Sequence, residues 1–458
     1  MKPISLERAA SMAEGLLLQG EPASTVGSVH FDTRELTPGA LFVAIQGKGR
    51  DGHDFLLQAA DNGARAAIIS DQTKIPRDLP AEFGLLLVND TLRAFQKLAA
   101  AYRRGFSFPF VAVTGSNGKT TTKDMIAHLL ESKLPVYKTF KNLNNHLGVP
   151  YSLLQLDDAH QAAVLELGMN HAGEIDLLAS LVQPKISVIT HIGDAHMEYF
   201  GSREKIALAK AELLPHTDPD GLVLLNGDNP YLRQVAHLYP GTILYYSVEG
   251  PADIWAENIK SDERGTRFDV RFSSGEGFSV FLPLFGQHNV LNALPAIAIA
   301  QRFGMEREEI QSALSTVSLS AMRFQVLNSA RGAVLINDAY NASPSSMEAA
   351  ISTFAELFPD RRKVLVLADM FELGSESASM HAQVGAFANT YVDRFALLIS
   401  IGEQSRFIHE AYHGEKCHFA AKEEALKTLQ SLDTAEHAIL FKGSRGMKLE
   451  TLIQELLV

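Results

Sequence analysis

The chain has 458 residues, of which 46% are apolar, and a formal net charge of −12. This length is too great for one ordinary hydrophobic core and predicts two to four domains, and the composition excludes a disordered or fibrous protein. Because an acidic chain repels phosphate polymers, duplex DNA or RNA is not an expected partner.

Short apolar runs alternate with helical patterns over most of the chain, which is the βαβ rhythm of parallel sheets. In the first 89 residues, strands are predicted near residues 41–45 and 66–69. A buried strand is predicted at 110–113 and a helix directly after it, at 119–130. The loop between this strand and helix opens the predicted middle domain, whose boundary with the first is placed near Asn89.

The same rhythm continues beyond this helix. Strands are predicted at residues 163–167 and 186–190, with a helix at 174–181 between them. Apolar and polar residues then alternate at 267–285 around a glycine-containing turn at 274–277, which predicts an antiparallel hairpin on the edge of the sheet.

The βαβ rhythm restarts after Ser318 and predicts a second doubly wound unit. Its predicted strands are residues 333–336, 364–367, 396–399 and 438–441, and its predicted helices include 346–358 and 447–457. We therefore expect three α/β domains: a smaller N-terminal domain (1–89), a central parallel-sheet domain (90–317) and a C-terminal Rossmann-like domain (318–458).

The cellular compartment is predicted from features that the chain lacks. Cys417 is the single cysteine, so no internal disulfide can form, which favours a reducing cytoplasm. The N-terminal residues have no basic segment followed by an apolar run and a cleavage site, so no signal peptide is expected. The longest apolar runs, such as 364–368, are too short to insert into a membrane.

A glycine-rich loop lies between the strand at 110–113 and the helix that follows it. Its glycines allow backbone N–H groups to face phosphate oxygens, Lys119 supplies a positive charge, and the Thr120 hydroxyl can ligate Mg²⁺. Val113 stands where the general P-loop pattern has glycine, so the loop is a shortened variant. An ordinary glycine turn is the alternative. The residues predicted to hold a nucleoside triphosphate are Gly115, Ser116, Asn117, Gly118, Lys119, Thr120 and Thr121.

Two further residues are candidate Mg²⁺ ligands. Glu166 ends an otherwise apolar strand, and His196 follows the next strand, so both belong at the sheet edge that lines ligand crevices in parallel sheets. Taken singly, each has an equally good alternative: Glu166 as a salt-bridged core residue, and His196 as a surface-loop histidine. Lys210 lies in a helical pattern that begins near Ser202, and its spacing alone indicates a solvated surface charge.

Together these stretches resemble the Mur ligase family, whose members extend the peptide stem of the peptidoglycan precursor. The resemblance covers essentially the whole chain. The matching stretches are residues 32–34, 38–44, 114–121, 166–170, 195–196, 209–212, 286–293, 322–323, 337–344, 369–374 and 442–446.

Within the family, two motifs resemble the ligase that adds D-alanyl-D-alanine to UDP-N-acetylmuramoyl-tripeptide. They are Tyr-Asn-Ala-x-Pro at 340–344 and Asp-Met-x-Glu-Leu-Gly at 369–374. The sister enzyme that adds the third stem residue carries Asp-Asn-Pro-Arg in its C-terminal domain. Residues 228–231 match it superficially, since they lie in the middle domain and lack the arginine. Whether the tripeptide ends in L-lysine or meso-diaminopimelate stays open.

The resemblance implies an ATP-dependent ligation through an acyl phosphate, giving the pentapeptide, ADP and phosphate, by a cytoplasmic monomer. Its N-terminal domain would bind the UDP-substrate, its central domain ATP, and its C-terminal domain would close over both ATP and the dipeptide. Two Mg²⁺ ions are expected. One would act on the phosphates with Lys119 and Thr120, and the other would be held by Glu166, His196 and a carbamylated Lys210.

The resemblance also assigns the remaining site residues. Asn292 would contact adenine, with a helix cap or a core amide as the alternatives, while Arg323 would reach the γ-phosphate and Asp338 the ribose. The UDP-substrate contacts would be Arg34, Asn142, Asn144 and Asn145, with an asparagine-rich turn as the alternative for the last three, and Asn341 is a further substrate candidate. No residue stands out as a general base.

Two other functions are alternatives to the ligase. Folylpolyglutamate synthetases resemble this chain in the loop and in a lysine carbamate, but they lack a comparable N-terminal substrate domain. A non-catalytic ATP-binding scaffold predicts the loss of at least one of four residues, all of which are present: Lys119, Glu166, His196 and Lys210.

Overall fold

The computed structural model describes residues 1–47, 49–318 and 320–457. Internal contacts divide the chain into two compact units. Unit 1 comprises Met1–Ala112, Leu134–Ser187 and Glu212–Leu222. Unit 2 comprises Val113–Lys133, Val188–Ala211 and the chain from Val223 onward.

The first hundred residues, all in unit 1, form a small α/β structure. Its five-stranded sheet has the order β2-β7-β6-β5-β4, with β4 to β7 parallel and β2 antiparallel. The predicted strand at 66–69 is confirmed, and that at 41–45 ends two residues early. The elements are β1 (Ile4–Ser5), α1 (Leu6–Met12), β2 (Leu16–Gln19), β3 (Thr25–Val26), β4 (Val29–His30), β5 (Leu41–Val43), α2 (Leu56–Asp61), β6 (Ala66–Ile69), β7 (Gly84–Leu87) and α3 (Thr91–Arg103).

The middle of the chain contributes a nine-stranded sheet with the order β16-β15-β14-β13-β12-β11-β8-β10-β9. The predicted hairpin is confirmed, since β15 and β16 pair antiparallel and β16 is an edge strand. The elements are β8 (Phe110–Thr114), α4 (Lys119–Glu131), β9 (Val136–Lys138), α5 (Gly148–Leu153), β10 (Ala162–Glu166), α6 (Glu174–Val182), β11 (Ile186–Ile189), α7 (Met197–Phe200), α8 (Arg203–Ala211), β12 (Leu222–Asn226), α9 (Pro230–Val235), β13 (Thr242–Ser247), β14 (Ile254–Asp262), β15 (Gly265–Phe272), β16 (Gly277–Leu282), α10 (Gln287–Arg302) and α11 (Arg307–Leu314).

The C-terminal part, within unit 2, is built on a six-stranded sheet with the order β17-β18-β22-β19-β20-β21. β17 pairs antiparallel with β18, and the other five strands of the sheet are parallel to one another. All four predicted strands are present. The elements are β17 (Gln325–Asn328), β18 (Val334–Asp338), α12 (Pro344–Glu356), β19 (Arg362–Ala368), α13 (Ser377–Ala388), β20 (Phe395–Ile401), α14 (Arg406–Ala411), β21 (Lys416–Phe419), α15 (Lys422–Leu432), β22 (His437–Lys442) and α16 (Glu450–Leu457).

Alternating side chains of β19 show why this sheet is doubly wound. Leu365 and Leu367 pack in one core cluster with residues of α12, α13 and α14. Val364 and Val366 pack in another cluster with residues of α15 and α16. Because successive strand residues face opposite sides of a sheet, both faces are covered by helices, as the continuous apolar runs predicted.

His381, on α13, is a fully buried polar residue in this C-terminal part. Its Nε2 accepts a hydrogen bond from the Met370 N–H at 2.9 Å, and its Nδ1 lies 2.7 Å from the Ser377 carbonyl oxygen. Both nitrogens are therefore engaged by one neutral tautomer. Burial lowers the pKa of His381 below its ordinary value of 6.5.

We expect His381 to make stability depend on pH. The unfolded chain takes up a proton near pH 6.5 and the folded chain resists it, so this contribution is complete above that pH and is lost as the pH falls. His381→Phe should cost about 1–3 kcal/mol near neutral pH, since the Met370 N–H loses its acceptor. Urea midpoints measured across the acidic range should fall less steeply for the variant, and parallel curves would contradict the assignment.

Candidate active site

The glycine-rich loop connects the end of β8 to the first residue of α4. Gly115 has φ +147° and Gly118 has φ +80°, both conformations that favour glycine. A Cβ on Gly115 would lie 1.9 Å from the Thr190 Oγ1, and one on Gly118 would lie 2.3 Å from the Asn292 Oδ1. Backbone conformation and close approach therefore both require glycine at these two positions.

Hydrogen bonds within unit 2 fix the shape of this loop. The Ser116 N–H donates to the His191 carbonyl oxygen at 2.7 Å, and the Gly193 N–H donates to the Ser116 Oγ at 3.0 Å. The Asn117 Nδ2 donates to the Ser345 Oγ at 2.9 Å. The side chains of Ser116 and Asn117 thus hold the loop to the segment after β11 and to the start of α12.

Lys119 and Thr120 begin α4 directly behind the loop. The Lys119 ammonium donates to the carbonyl oxygens of Gly115 and Ser116, at 2.8 and 3.3 Å. The Thr120 hydroxyl accepts a hydrogen bond from the Arg323 Nη2 at 3.0 Å. Thr120 and its neighbour Thr121 are both buried. Two positive charges therefore lie at the loop: Lys119 from the start of α4, and Arg323 from a distant part of the sequence.

Arg323 lies in an unusual turn just before β17. Met322 and Phe324, on either side of it, have φ angles of 64° and 50°, in the left-handed region that non-glycine residues rarely adopt. The guanidinium lies over the Tyr340 ring, 4.1 Å from its centroid. Among the described residues, the buried Nε of Arg323 has no hydrogen-bond partner. Strain of this kind concentrates at functional sites.

Asp338, the last residue of β18, supports this turn. Its Oδ1 accepts from the Phe324 N–H at 3.1 Å, and its Oδ2 accepts from the Lys442 ammonium at 2.7 Å. Lys442 also donates to the carbonyl oxygen of Asn341, whose side chain is exposed. Lys442 lies in the stretch 442–446 that resembles the family, and the sequence indicated no role for it. It is buried, and its ammonium also donates to the Asp338 carbonyl oxygen, so its three acceptor atoms on Asp338 and Asn341 join β22 to this corner.

Asn292 is the sixth residue of α10, whose N-cap is Gly286. The helix-cap alternative is therefore wrong, because the side chain points from the interior of the helix. It is buried, and its Oδ1 lies 3.4 Å from the Thr122 Oγ1 as well as against Gly118. An amide in contact with the phosphate loop fits the predicted role in nucleotide binding.

Replacing Asn292 with alanine is expected to raise the KM for ATP about 10-fold or more while changing the KM for the expected dipeptide substrate little. Losing one buried hydrogen-bond partner of the nucleotide costs about 1–3 kcal/mol. Steady-state kinetics would measure both constants. Asn289→Ala is the matched control, because that buried amide on the same helix donates to the Phe285 carbonyl oxygen instead. Equal effects on both KM values would indicate a core amide.

His196 is the N-cap of α7 and has φ 66°. Its Nδ1 lies 2.7 Å from the Oε2 of Glu372, at ion-pair distance but without hydrogen-bond geometry. Glu372 belongs to the Asp-Met-x-Glu-Leu-Gly motif, and the sequence indicated no role for this residue. Burial lowers the pKa of His196, the interaction with Glu372 opposes this change, and the charges of Lys210 and Lys119 lower it further. The neutral ring that results is the form that binds metal ions.

Lys210 lies in the last turn of α8 and is 1% exposed. The solvated surface lysine indicated by spacing alone is therefore excluded. Burial, followed by the charge of Lys119, lowers the pKa of Lys210 well below 10.5. Among the described residues, its ammonium forms no ion pair. A neutral amine in a buried position is the chemical form that reacts with CO₂.

One further ion pair near these residues was not predicted. Arg203, the first residue of α8, donates to both carboxylate oxygens of Asp194, at 2.6 and 2.9 Å. Asp194 is buried and lies two residues before His196. This bidentate pair joins the histidine segment to the helix that carries Lys210.

Glu166 belongs to unit 1, where it ends β10 and is 3% exposed. Its Oε1 accepts a hydrogen bond from the Asn144 Nδ2 at 2.8 Å, and its own N–H donates to the Thr139 Oγ1. The Gly168 N–H donates to the Asn144 carbonyl oxygen. Asn144 therefore holds the carboxylate of Glu166 as well as the backbone that follows it.

The other two asparagines of this segment differ from Asn144. The Asn145 Oδ1 accepts from the N–H groups of Leu147 and Gly148, at 3.1 and 2.9 Å. This is an Asx-type turn, so the turn alternative applies to Asn145. Asn142 is exposed.

Arg34, also in unit 1, has an 85% exposed side chain that donates to both carboxylate oxygens of Asp32. Asp32 in turn caps the short 3₁₀ turn that contains Arg34. Nearby in the sequence, His30 is buried, and within the described residues both of its ring nitrogens lack partners. Such a buried side chain has hydrogen-bonding capacity left for a ligand, a feature that the sequence pattern did not indicate.

The described residues contain no group of three or more His, Cys, Asp and Glu side chains placed to hold a metal ion. The predicted Mg²⁺ set is of a different kind, since one of its members is a lysine-borne carboxylate. Within the described chain, every helix is too short or too polar to cross a lipid bilayer.

Three family models match successive parts of the chain. The model described as Mur ligase family, catalytic domain, matches residues 25–103. The Mur ligase middle domain matches 113–300, and the Mur ligase, glutamate ligase domain matches 322–445.

Full-length relatives agree with these matches. The UDP-N-acetylmuramoyl-tripeptide–D-alanyl-D-alanine ligase of Bacillus subtilis is 38% identical to this chain, and the matched region covers 99% of this chain and 98% of the Bacillus enzyme. A crystal structure of MurF from Acinetobacter baumannii has a TM-score of 0.91 at 32% identity, over 100% of this chain and 99% of that one. The structure of MurF from Thermotoga maritima in complex with ADP has a TM-score of 0.83 at 28% identity, over 94% of this chain and 96% of that one. The predicted three-domain α/β architecture is thereby confirmed, and the chain belongs to the Mur ligase family.

Proposed function

We propose that the protein is an ATP-dependent ligase that joins D-alanyl-D-alanine to UDP-N-acetylmuramoyl-tripeptide in peptidoglycan precursor synthesis. The observation that carries this proposal is the contact of Arg323 with Thr120 at the phosphate loop, where Lys119 also lies. It supplies the cations that phosphoryl transfer from ATP requires. The named relatives, similar over nearly the whole chain, support the choice of substrates.

The reaction begins when the tripeptide carboxylate attacks the γ-phosphorus of ATP, forming an acyl phosphate and releasing ADP. The amine of the dipeptide then attacks the acyl carbon, phosphate leaves, and the ammonium proton is lost to water or substrate. Lys119 and Arg323 stabilise the charge that develops on the phosphoryl oxygens and align them, so their effect is electrostatic and positional.

The residues proposed to hold Mg²⁺ are Thr120 at the phosphates and Glu166, His196 and carbamylated Lys210 at a second position. Three of the four donors fit a hard cation, because hydroxyl, carboxylate and carbamate oxygens are ligands that Mg²⁺ prefers, and the His196 imidazole is the single nitrogen donor. The burial of Lys210 without an ion pair among the described residues supports the carbamate. When bound, the metal supplies positive charge to phosphate and carboxylate oxygens.

We propose that each of the three domains binds a different part of the substrates. The N-terminal domain (1–89) takes the UDP-substrate with Arg34, the central domain (90–317) takes ATP, and the C-terminal domain (318–458) closes over ATP and the dipeptide. Asn292 contacts adenine and Asp338 the ribose, while the remaining substrate contacts come from Asn142, Asn144, Asn145 and Asn341. We also propose a cytoplasmic monomer, with the single cysteine supporting a reducing compartment.

The test of this function is an acceptor panel. Purified protein with ATP, Mg²⁺ and UDP-N-acetylmuramoyl-tripeptide would be supplied separately with D-alanyl-D-alanine, D-alanine, L-lysine, diaminopimelate and L-glutamate. We expect amide product and ADP with the dipeptide alone. Efficient ligation of a single amino acid, with none for the dipeptide, would overturn the assignment, and the absence of any dependent ADP formation would favour a scaffold. Tripeptides ending in L-lysine or diaminopimelate, compared by kcat/KM, would settle the third residue.

A further inference from the structure

We propose that Glu372 is a positioning residue for His196: its carboxylate lies beside Nδ1 of the imidazole, favours the tautomer that is protonated there and so presents the Nε2 lone pair for metal binding. The inference rests on the proposed function, in which His196 is a Mg²⁺ ligand. It gives a role to the Asp-Met-x-Glu-Leu-Gly motif, whose presence in the sequence is otherwise unexplained.

Contacts at three points join this motif to the histidine segment, and all lie within unit 2. The Glu372 Oε2 is 2.7 Å from the His196 Nδ1, an ion-pair distance at an angle that does not form a hydrogen bond in this structure. The Glu198 N–H donates to the Glu372 carbonyl oxygen at 3.2 Å. Gly374, with φ +56°, is so close that a Cβ on it would lie 3.2 Å from the Glu198 Cγ. The carboxylate therefore approaches the ring from a backbone that is itself held against α7.

Both partners of the contact have strained backbones. His196 has φ 66° and Glu372 has φ 61°, in the left-handed region that non-glycine residues rarely adopt. Such conformations persist where the surroundings enforce them. Two strained residues whose side chains meet at 2.7 Å indicate that the backbone is arranged to produce this contact.

The segment that carries Glu372 is anchored from behind. The Phe371 N–H donates to the Ser444 Oγ at 2.9 Å, and the Ser444 N–H donates to the Asp369 carbonyl oxygen at 3.0 Å. The Met370 N–H donates to buried His381. The backbone N–H groups of the two residues before Glu372 are thus held by helix α13 and by the segment after β22, so the carboxylate has a rigid support.

The chemistry of imidazole explains what the carboxylate does. A neutral ring has one N–H donor and one acceptor nitrogen, and a carboxylate next to Nδ1 selects the tautomer whose Nε2 is the acceptor. Metal-binding histidines commonly have such a partner, and its loss lowers metal affinity about 10–100-fold. A purely structural contact between the two segments would have no effect on the tautomer.

The test combines two measurements that do not depend on turnover, made on the full-length chain. Selective ¹⁵N-histidine NMR of the metal-free protein, with the signal assigned through His196→Gln, reports the tautomer of His196. Electron paramagnetic resonance titration with Mn²⁺ in the presence of ATP reports metal affinity. We expect Glu372→Ala to shift His196 toward the Nε2–H tautomer and to weaken Mn²⁺ binding about 10–100-fold. Glu372→Gln, which keeps an acceptor oxygen, should lie between the alanine variant and wild type.

The matched control is Glu376→Ala, which removes an exposed carboxylate four residues further on; it should change neither measurement. An unchanged tautomer and unchanged Mn²⁺ affinity in Glu372→Ala would overturn the inference. Failure of the proposed metal role gives a different result, because Mn²⁺ affinity would then be unaffected by His196→Gln while the tautomer still responded to Glu372→Ala. If the alanine variant does not fold, the tautomer of Glu372→Gln decides: a wild-type spectrum contradicts positioning by the carboxylate charge.

Discussion

Replacing Lys210 with alanine is expected to lower ligation about 10³-fold, and replacing it with arginine is expected to lower it as much. This is the scale of losing a group that stabilises developing charge in a site closed to water. Arginine keeps a positive charge at the position, but it is not converted to a carbamate. The two variants together therefore distinguish a cationic role from an anionic one.

The physical reason lies in the surroundings of Lys210. The side chain is 1% exposed, and burial together with the charge of Lys119 lowers its pKa, so the neutral amine is favoured. In the proposed carbamylation, the amine nitrogen would attack the carbon of CO₂ and release a proton, which would leave a carbamate anion on the same long arm. An isolated buried ammonium would cost more free energy than an anion that binds a metal ion.

Three measurements accompany the activity assay. Added acetate should restore part of the activity of Lys210→Ala, since its carboxylate can occupy the vacated space. The thermal midpoint should stay close to that of wild type. Lys205→Arg, an exposed lysine on the same helix, is the control and should keep full activity. An arginine variant that works at nearly the wild-type rate would contradict the carbamate and the second metal position with it.

Periodicity predicted most of the buried central strands but missed the fully buried β12, and it missed strands with exposed residues. β8, β10 and the central strands of the C-terminal sheet are continuous apolar runs whose burial on both faces makes them visible in the sequence. β14, a nine-residue strand that ends in exposed residues, and the short β9 and β21 were not predicted. Such strands are held by pairing with their neighbours, which local sequence does not record.

The site shows the same division between local and long-range information. The phosphate loop could be predicted because glycine conformation, lysine charge and helix start are all encoded within nine residues. The contacts of Arg323 with Thr120 and of Glu372 with His196 join positions far apart in the chain, and no spacing rule predicts them. The burial of Lys210 was predicted wrongly from spacing, because burial of a helix residue depends on what packs over it.

Arg323→Ala is expected to lower kcat about 10³-fold, with little change in the KM for the dipeptide. Arginines that stabilise a transferring phosphoryl group contribute about 10³–10⁵ in rate. The guanidinium already contacts the phosphate loop through Thr120 and is stacked over Tyr340. Its buried Nε, which has no partner in the described part of the chain, is a further donor.

Comparison with lysine identifies which property of Arg323 matters. Arg323→Lys keeps the charge but loses the planar fork and the stacking on Tyr340, so we expect it to recover no more than about a tenth of the activity. The control is Arg267→Ala, which removes an exposed arginine stacked over the Phe281 ring in the hairpin sheet. Rapid-quench measurement of ADP formation would locate the defect in the first step, where the charge develops. A full first-step rate with a slow second step would instead place Arg323 at the dipeptide, because the acyl phosphate would then form normally and wait for its nucleophile.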